Sequence, residues 1–128
     1  MTFFKSFLLV SSVLISSAHA DTLYVSNEKD NSVSVIDSKT LEVVRTFDVG
    51  QRPRGIILSK DFKHLYVCTS DDDTVEIYDT QTEKKVGELP SGADPEFFAL
   101  HPDNQRIYIA NEDDALTTVV DVASSKVI

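Results

Sequence analysis

Cysteine is almost missing from this chain: Cys68 stands alone, so no disulfide can form within it. Many exported domains lean on such bridges, and here only packing and β-ladders remain to hold a fold. Positive charge is also scarce, with 12 Lys and Arg against 21 Asp and Glu, a net of −9. Without Lys5, residues 21–128 carry 11 − 21 = −10. A surface of that sign repels polyphosphate and anionic lipid, which makes nucleic acid and membrane surfaces poor partners. No apolar run approaches the roughly 20 residues of a membrane span. Also absent are a Ser-His-Asp set, a glycine-rich phosphate loop and a CxxC-His haem attachment motif.

The beginning of the chain reads as an export signal. Lys5 supplies a positive start, Phe7 to Ile15 an apolar stretch, and Ala18-His19-Ala20 a small-x-small cleavage pattern. Cleavage after Ala20 would leave a mature chain from Asp21, with no cysteine there to carry a lipid. The expected organisation is a signal peptide over 1–20 and a repeat domain over 21–128.

The repeat is plain once the chain is compared with itself. Tyr24, Tyr66 and Tyr108 are 42 apart, as are Asp37, Asp79 and Asp121. Gly50 and Gly92, and likewise Pro53 and Pro95, keep the same interval without a gap. A period near 40–45 made of short β-branched and aromatic runs, broken by turn residues, predicts propeller blades rather than helical repeats. The fold expected is all-β: a β-propeller of four-stranded antiparallel blades.

In the fully represented blade four strands are expected, at Gly55 to Ser59, His64 to Ser70, Thr74 to Asp79 and Lys84 to Leu89. The continuous apolar runs Ile56-Ile57-Leu58 and Phe97-Phe98-Ala99-Leu100 predict inner strands buried on both faces. Gly50 and Gly92 are expected to take positive φ where one blade crosses to the next, with proline beside them. Asp37, Asp79 and Asp121 read as turn formers.

Tyr24-Val25-Ser26-Asn27, Tyr66-Val67-Cys68-Thr69 and Tyr108-Ile109-Ala110-Asn111 resemble the signature of the YVTN-type β-propellers. The stretches Ser26 to Asn31, Ser91 to Glu96 and Asn111 to Asp114 narrow the likeness to propellers associated with PQQ-dependent catabolism. That resemblance implies a seven-bladed ring in the periplasm, beside quinoprotein dehydrogenases. It implies no cofactor bound to this chain and carries no catalytic residue with it.

The loops joining second to third strands hold Glu28, Lys29 and Asp30, then Asp71, Asp72 and Asp73, then Glu112, Asp113 and Asp114. They share one face with the blade-to-blade crossings, and turn formation accounts for most of their acidity. Arg52, Arg54, Asp94 and Glu96 fall nearer the central channel and are the candidate face for a ligand or partner. Paired guanidiniums there suit carboxylate or phosphate groups. Asp71-Asp72-Asp73 lacks the alternation, central glycine and distal glutamate of a calcium loop. His64 and His101 have no Cys or His at metal-ligand spacing, and Cys68, aligned with Ser26 and Ala110, should fill a small buried pocket.

These features together favour a non-enzymatic periplasmic propeller that binds or scaffolds components of a PQQ-dependent oxidation system, a quinoprotein dehydrogenase foremost. The rival is a propeller enzyme, lactonase-like or a haem-bearing reductase, with its active site in other blades. A surface adhesion module has less support, since no anchor motif is visible. Finally, 108/42 gives about 2.6 blades, against the four to eight of a closed ring. Leu23-Tyr24-Val25 aligns with a second strand and Ile128 with the middle of a fourth. The expectation is a piece of a longer propeller, whose missing inner strand would come from the far C-terminus. Alone it should self-associate.

Overall fold

The computed structural model describes residues 21–128, and the expected signal peptide lies outside the described residues. Three antiparallel sheets follow one another along the chain. The first holds β1 (Thr22–Asn27), β2 (Ser32–Asp37) and β3 (Val43–Asp48). The second holds β4 (Pro53–Leu58), β5 (His64–Thr69), β6 (Thr74–Asp79) and β7 (Lys85–Pro90). The third holds β8 (Pro95–Leu100), β9 (Arg106–Asn111), β10 (Leu116–Asp121) and β11 (Lys126–Val127). Strand order in each sheet is chain order, which is a propeller blade. Among the described residues no helix is long and apolar enough to cross a membrane.

Pairing repeats with the sequence. Leu65↔Tyr78, Tyr66↔Ile77 and Val67↔Glu76 in the second blade become Ile107↔Val120, Tyr108↔Val119 and Ile109↔Thr118 in the third. The expected strands match within two residues; the third, Thr74–Asp79, agrees at both ends.

The most deeply buried strand is β5, and its alternation feeds two cores. Leu65 and Val67 pack with Val33 and Tyr78 towards the first blade. Tyr66 and Cys68 pack with Val75, Leu89, Ile107, Ile109 and Val120 towards the third. Phe47 of the first blade meets Tyr78 of the second with ring centroids 5.4 Å apart, a favourable tilted pair. The inner strands differ from expectation: Phe97 on β8 is 67% exposed, and Ala99 is exposed too. Blades meet chiefly along the inner strands, β4 against β8 and against β1, and no described sheet covers the far face of β8.

Cys68 fills its small pocket, fully buried. Burial pushes its thiol well up, the nearby Glu96 carboxylate adding to the effect. The expected result is that a thiol reagent leaves native protein unlabelled at neutral pH and labels Cys68 only after unfolding in urea.

Turn chemistry follows the repeat closely. Asp37 Oδ1 accepts from the amides of Lys39 and Thr40, at 2.8 and 2.9 Å. Asp79 does the same for Gln81 and Thr82, and Asp121 for Ser124. The donors stabilise the charged carboxylates, so all three titrate below their ordinary range. The glycines are a correction: none has positive φ. Arg52 (φ 53°) and Asp94 (φ 52°) take the left-handed conformation instead. Gly50 serves close approach, because a Cβ there would lie 2.5 Å from Asp72 Oδ2 and 2.7 Å from Thr69 Cγ2.

Candidate functional site

The crossings from blade to blade are pinned by loops from two blades. Gln51 N–H donates to Asp72 Oδ2 at 2.6 Å, and its repeat equivalent Ala93 to Asp114 Oδ2 at 3.1 Å. Arg52 N–H donates to Asn31 Oδ1, and Asp94 N–H to Asp73 Oδ1, both at 2.9 Å. In return, the amides of Ser70 and Glu112 donate to the carbonyls of Arg52 and Asp94. Side chains in the left-handed region cost energy unless their surroundings over-determine them, and these bonds do so. The second-to-third-strand loops therefore share an end with the crossings, as expected. Asp72, Asp73 and Asp114 work there as backbone acceptors.

Just beyond each crossing the ladder slips. Pro53 faces Thr69, but the next pair is Ile56↔Val67; Pro95 faces Asn111, but the next is Phe97↔Ala110. Such a bulge re-aims side chains, and it holds Arg54 in β4 and Glu96 in β8. All four candidate residues come together. Arg52 Nη1 lies 3.2 Å from Asp94 Oδ1, and its Nη2 lies 3.4 Å from Glu96 Oε1. Arg54 Nη2 pairs with Glu96 Oε2, and its Nη1 with Glu28 Oε1 at 3.1 Å. Arg52 also reaches Glu28 at 3.4 Å and Asp71 at 3.3 Å.

The two guanidiniums are thus engaged by four of the chain's own carboxylates, drawn from all three blades. An incoming anion would have to displace or bridge them. The bond to Asp71, with Asp94 and Glu28 adding, fixes Arg52 still more firmly in its charged form. Desolvation is the largest single influence at Glu28 and works upward, but Arg54 and Arg52 together outweigh it and hold its carboxyl below the usual range. Glu96 is different. Its side chain is only 9% exposed, and burial, with Asp94 and Glu112 nearby, raises its pKa against the pull of Arg54. Asp94, Glu96 and Glu112 offer carboxylate oxygens within 4.8 Å of one another. Hard cations take such oxygens; here the arginines neutralise Asp94 and Glu96.

Turn formation is the favoured reading of the loops that hold Glu28, Asp71 and Glu112, with a polar ligand or partner site as the other, yet Glu28 and Asp71 bind the chain's own arginines and Glu112 abuts Glu96. A signal existed for two of them: Glu28 and Glu112 occupy one repeat position, where the middle blade has Ser70. The histidines are structural. His64 opens β5 with its amide on Ser59 Oγ at 3.0 Å. His101 Nδ1 lies 2.8 Å from Asp103 Oδ1, with Arg106 at its other ring nitrogen.

Fold and repeat together define a stack of β-propeller blades. A family model described as lactonase, 7-bladed β-propeller matches residues 10–90, and the chain belongs to that family. Among solved structures it is similar to hydrazine synthase of Kuenenia stuttgartiensis, 27% identical with a TM-score of 0.76, over 84% of this chain and 31% of that one. It is also similar to the dihydro-haem d1 dehydrogenase NirN in complex with DHE. That match is 20% identical with a TM-score of 0.70, over 94% of this chain and 26% of the other, and shows the fold alone. The chain thus spans under a third of each of these structures. No curated protein matches it.

Proposed function

We propose that this chain forms part of a non-enzymatic periplasmic propeller that binds or scaffolds components of a PQQ-dependent oxidation system. The observation carrying the binding role is the charged network of Arg52, Arg54, Asp94, Glu96 and Glu28, built from three blades at the end where crossings and hairpin loops meet. Polar, partly exposed side chains held in place by their neighbours suit recognition of a polar protein surface. The export signal read at 1–20 supports a periplasmic location, and the resemblance to PQQ-associated propellers supports the partner class, a quinoprotein dehydrogenase.

The test is co-elution of the full-length protein with a periplasmic quinoprotein alcohol dehydrogenase. Wild-type protein is expected to co-elute, and R52E/R54E to weaken the association by about tenfold or more. No association, or turnover by the pure protein without partners, overturns the reading.

The family match favours a second reading, a lactonase-type enzyme whose catalytic groups lie in other blades. Lactone hydrolysis by the full-length protein would establish it. A Soret band would point instead to a haem-bearing propeller.

A further inference from the structure

Two repeat positions carry opposite charges in neighbouring blades. Arg52 and Asp94 are equivalent, as are Arg54 and Glu96, each pair 42 residues apart. They are also each other's partners, through Arg52–Asp94 and Arg54–Glu96. A third position agrees: Glu28 and Glu112 flank a middle blade that has Ser70 there. Ser70 Oγ instead donates to the Pro95 carbonyl at 2.6 Å, and Glu28 pairs with both arginines of the middle blade.

We propose that these positions encode blade order, so that the arginine blade is accepted only between acidic neighbours. The apolar faces supply that information only in part. Phe47 and Tyr78 at the first junction become Leu89 and Val120 at the second, but Leu65 and Val67 are replaced by Ile107 and Ile109, all fully or nearly fully buried and similar in shape. Backbone pairing adds nothing to it, because register and bulge recur in both blades. Repeat proteins are prone to misassembly and domain swapping. Two arginine blades in succession would set Arg52 and Arg54 against like charges. Two acidic ones would leave Glu96, almost wholly buried, facing carboxylates with no guanidinium. Polar groups kept for specificity rather than stability are the general device, and here the repeat itself writes the code.

The experiment refolds the full chain from urea at fixed concentration and reads the native fraction by size exclusion. The uncharged variant R52Q/R54Q/D94N/E96Q is expected to give at least about threefold less native species than wild type, the rest misassembled. D94R/E96R, which sets arginine against arginine, should give less still. In the exchange E28R/R52D/R54E/D94R/E96R, four of the five new side chains take a backbone seat that already holds their type in the neighbouring blade, and E28R gives the new acidic pair at 52 and 54 a cation to face. It is expected to restore the native fraction to within about twofold of wild type. A native fraction for the uncharged variant equal to wild type overturns the proposal. So does failure of the exchanged variant to recover beyond D94R/E96R. Should the uncharged variant not fold at all, the exchanged variant alone decides.

Discussion

Gly55→Ala is expected to destabilise the full chain by about 2–3 kcal/mol, read as a lower urea midpoint. The added Cβ would stand 2.7 Å from the Glu96 carbonyl oxygen and 3.2 Å from Phe97 Cα, with Cys68 Sγ at 3.5 Å. Two of these are backbone atoms of the next blade's inner strand, so no rotamer change relieves the clash. Relief requires β4 and β8 to separate, which loosens the core around Tyr66, Cys68 and Ile109. Gly87→Ala is the control. The nearest atom to its Cβ is Ile77 Cδ1 at 3.6 Å, an ordinary contact, and a strand glycine costs chain entropy. That change should be neutral or stabilising by up to about 1 kcal/mol. Equal losses for both substitutions would show that the close passage of β4 and β8 is not what demands glycine.

Glu76→Ala carries the second large effect. Glu76 is 7% exposed, and its carboxylate accepts from Gly50 N–H at 2.7 Å, Tyr78 O–H at 2.6 Å and Lys85 Nζ at 2.7 Å. One side chain thereby ties the first crossing to β6 and β7. Removing it leaves the Tyr78 hydroxyl and the Gly50 amide without acceptors, while Lys85 can turn to water. The expected loss is about 2–4 kcal/mol. Glu76→Gln, which keeps an acceptor oxygen, should lose less.

The same carboxylate gives a pH signature. Burial works to raise its pKa, but the bonds from Lys85, Tyr78 and the Gly50 amide outweigh it, and the net shift is downward. A carboxyl whose folded pKa is depressed contributes stability above its unfolded value and loses it as pH falls through the folded one. The gap between wild type and Glu76→Ala should therefore be full at neutral pH and narrow below about pH 4. A gap independent of pH would mean that packing, not the charged carboxylate, sets the loss.

Much of this was readable before any coordinates. A 42-residue period in Tyr24, Tyr66 and Tyr108 fixes blade length, because each blade is one copied unit, and the Asp37, Asp79 and Asp121 turns follow from local hydrogen bonding. The four candidate charges were legible as a group, since the crossing glycine and proline place them together at the start of inner strands. Glu76 was not: it sits in an alternating strand, Val75-Glu76-Ile77, where a polar residue reads as outward-facing. Only the approach of Gly50 from the preceding crossing turns that outward seat into a buried one.

What the sequence determined by itself is therefore the local and the repeated: strands, turns, blade period and net charge, all set by residues near one another along the chain. Tertiary structure decided what depends on blades touching. It assigned close approach to Gly50 and Gly55, and gave left-handed φ to Arg52 and Asp94 through acceptors 21 residues away. It buried β5 while leaving Phe97 open, and it matched Arg52 with Asp94 and Arg54 with Glu96. The reason is physical. Burial and charge pairing are properties of two surfaces in contact, and a periodic sequence describes each surface without stating which one it will meet.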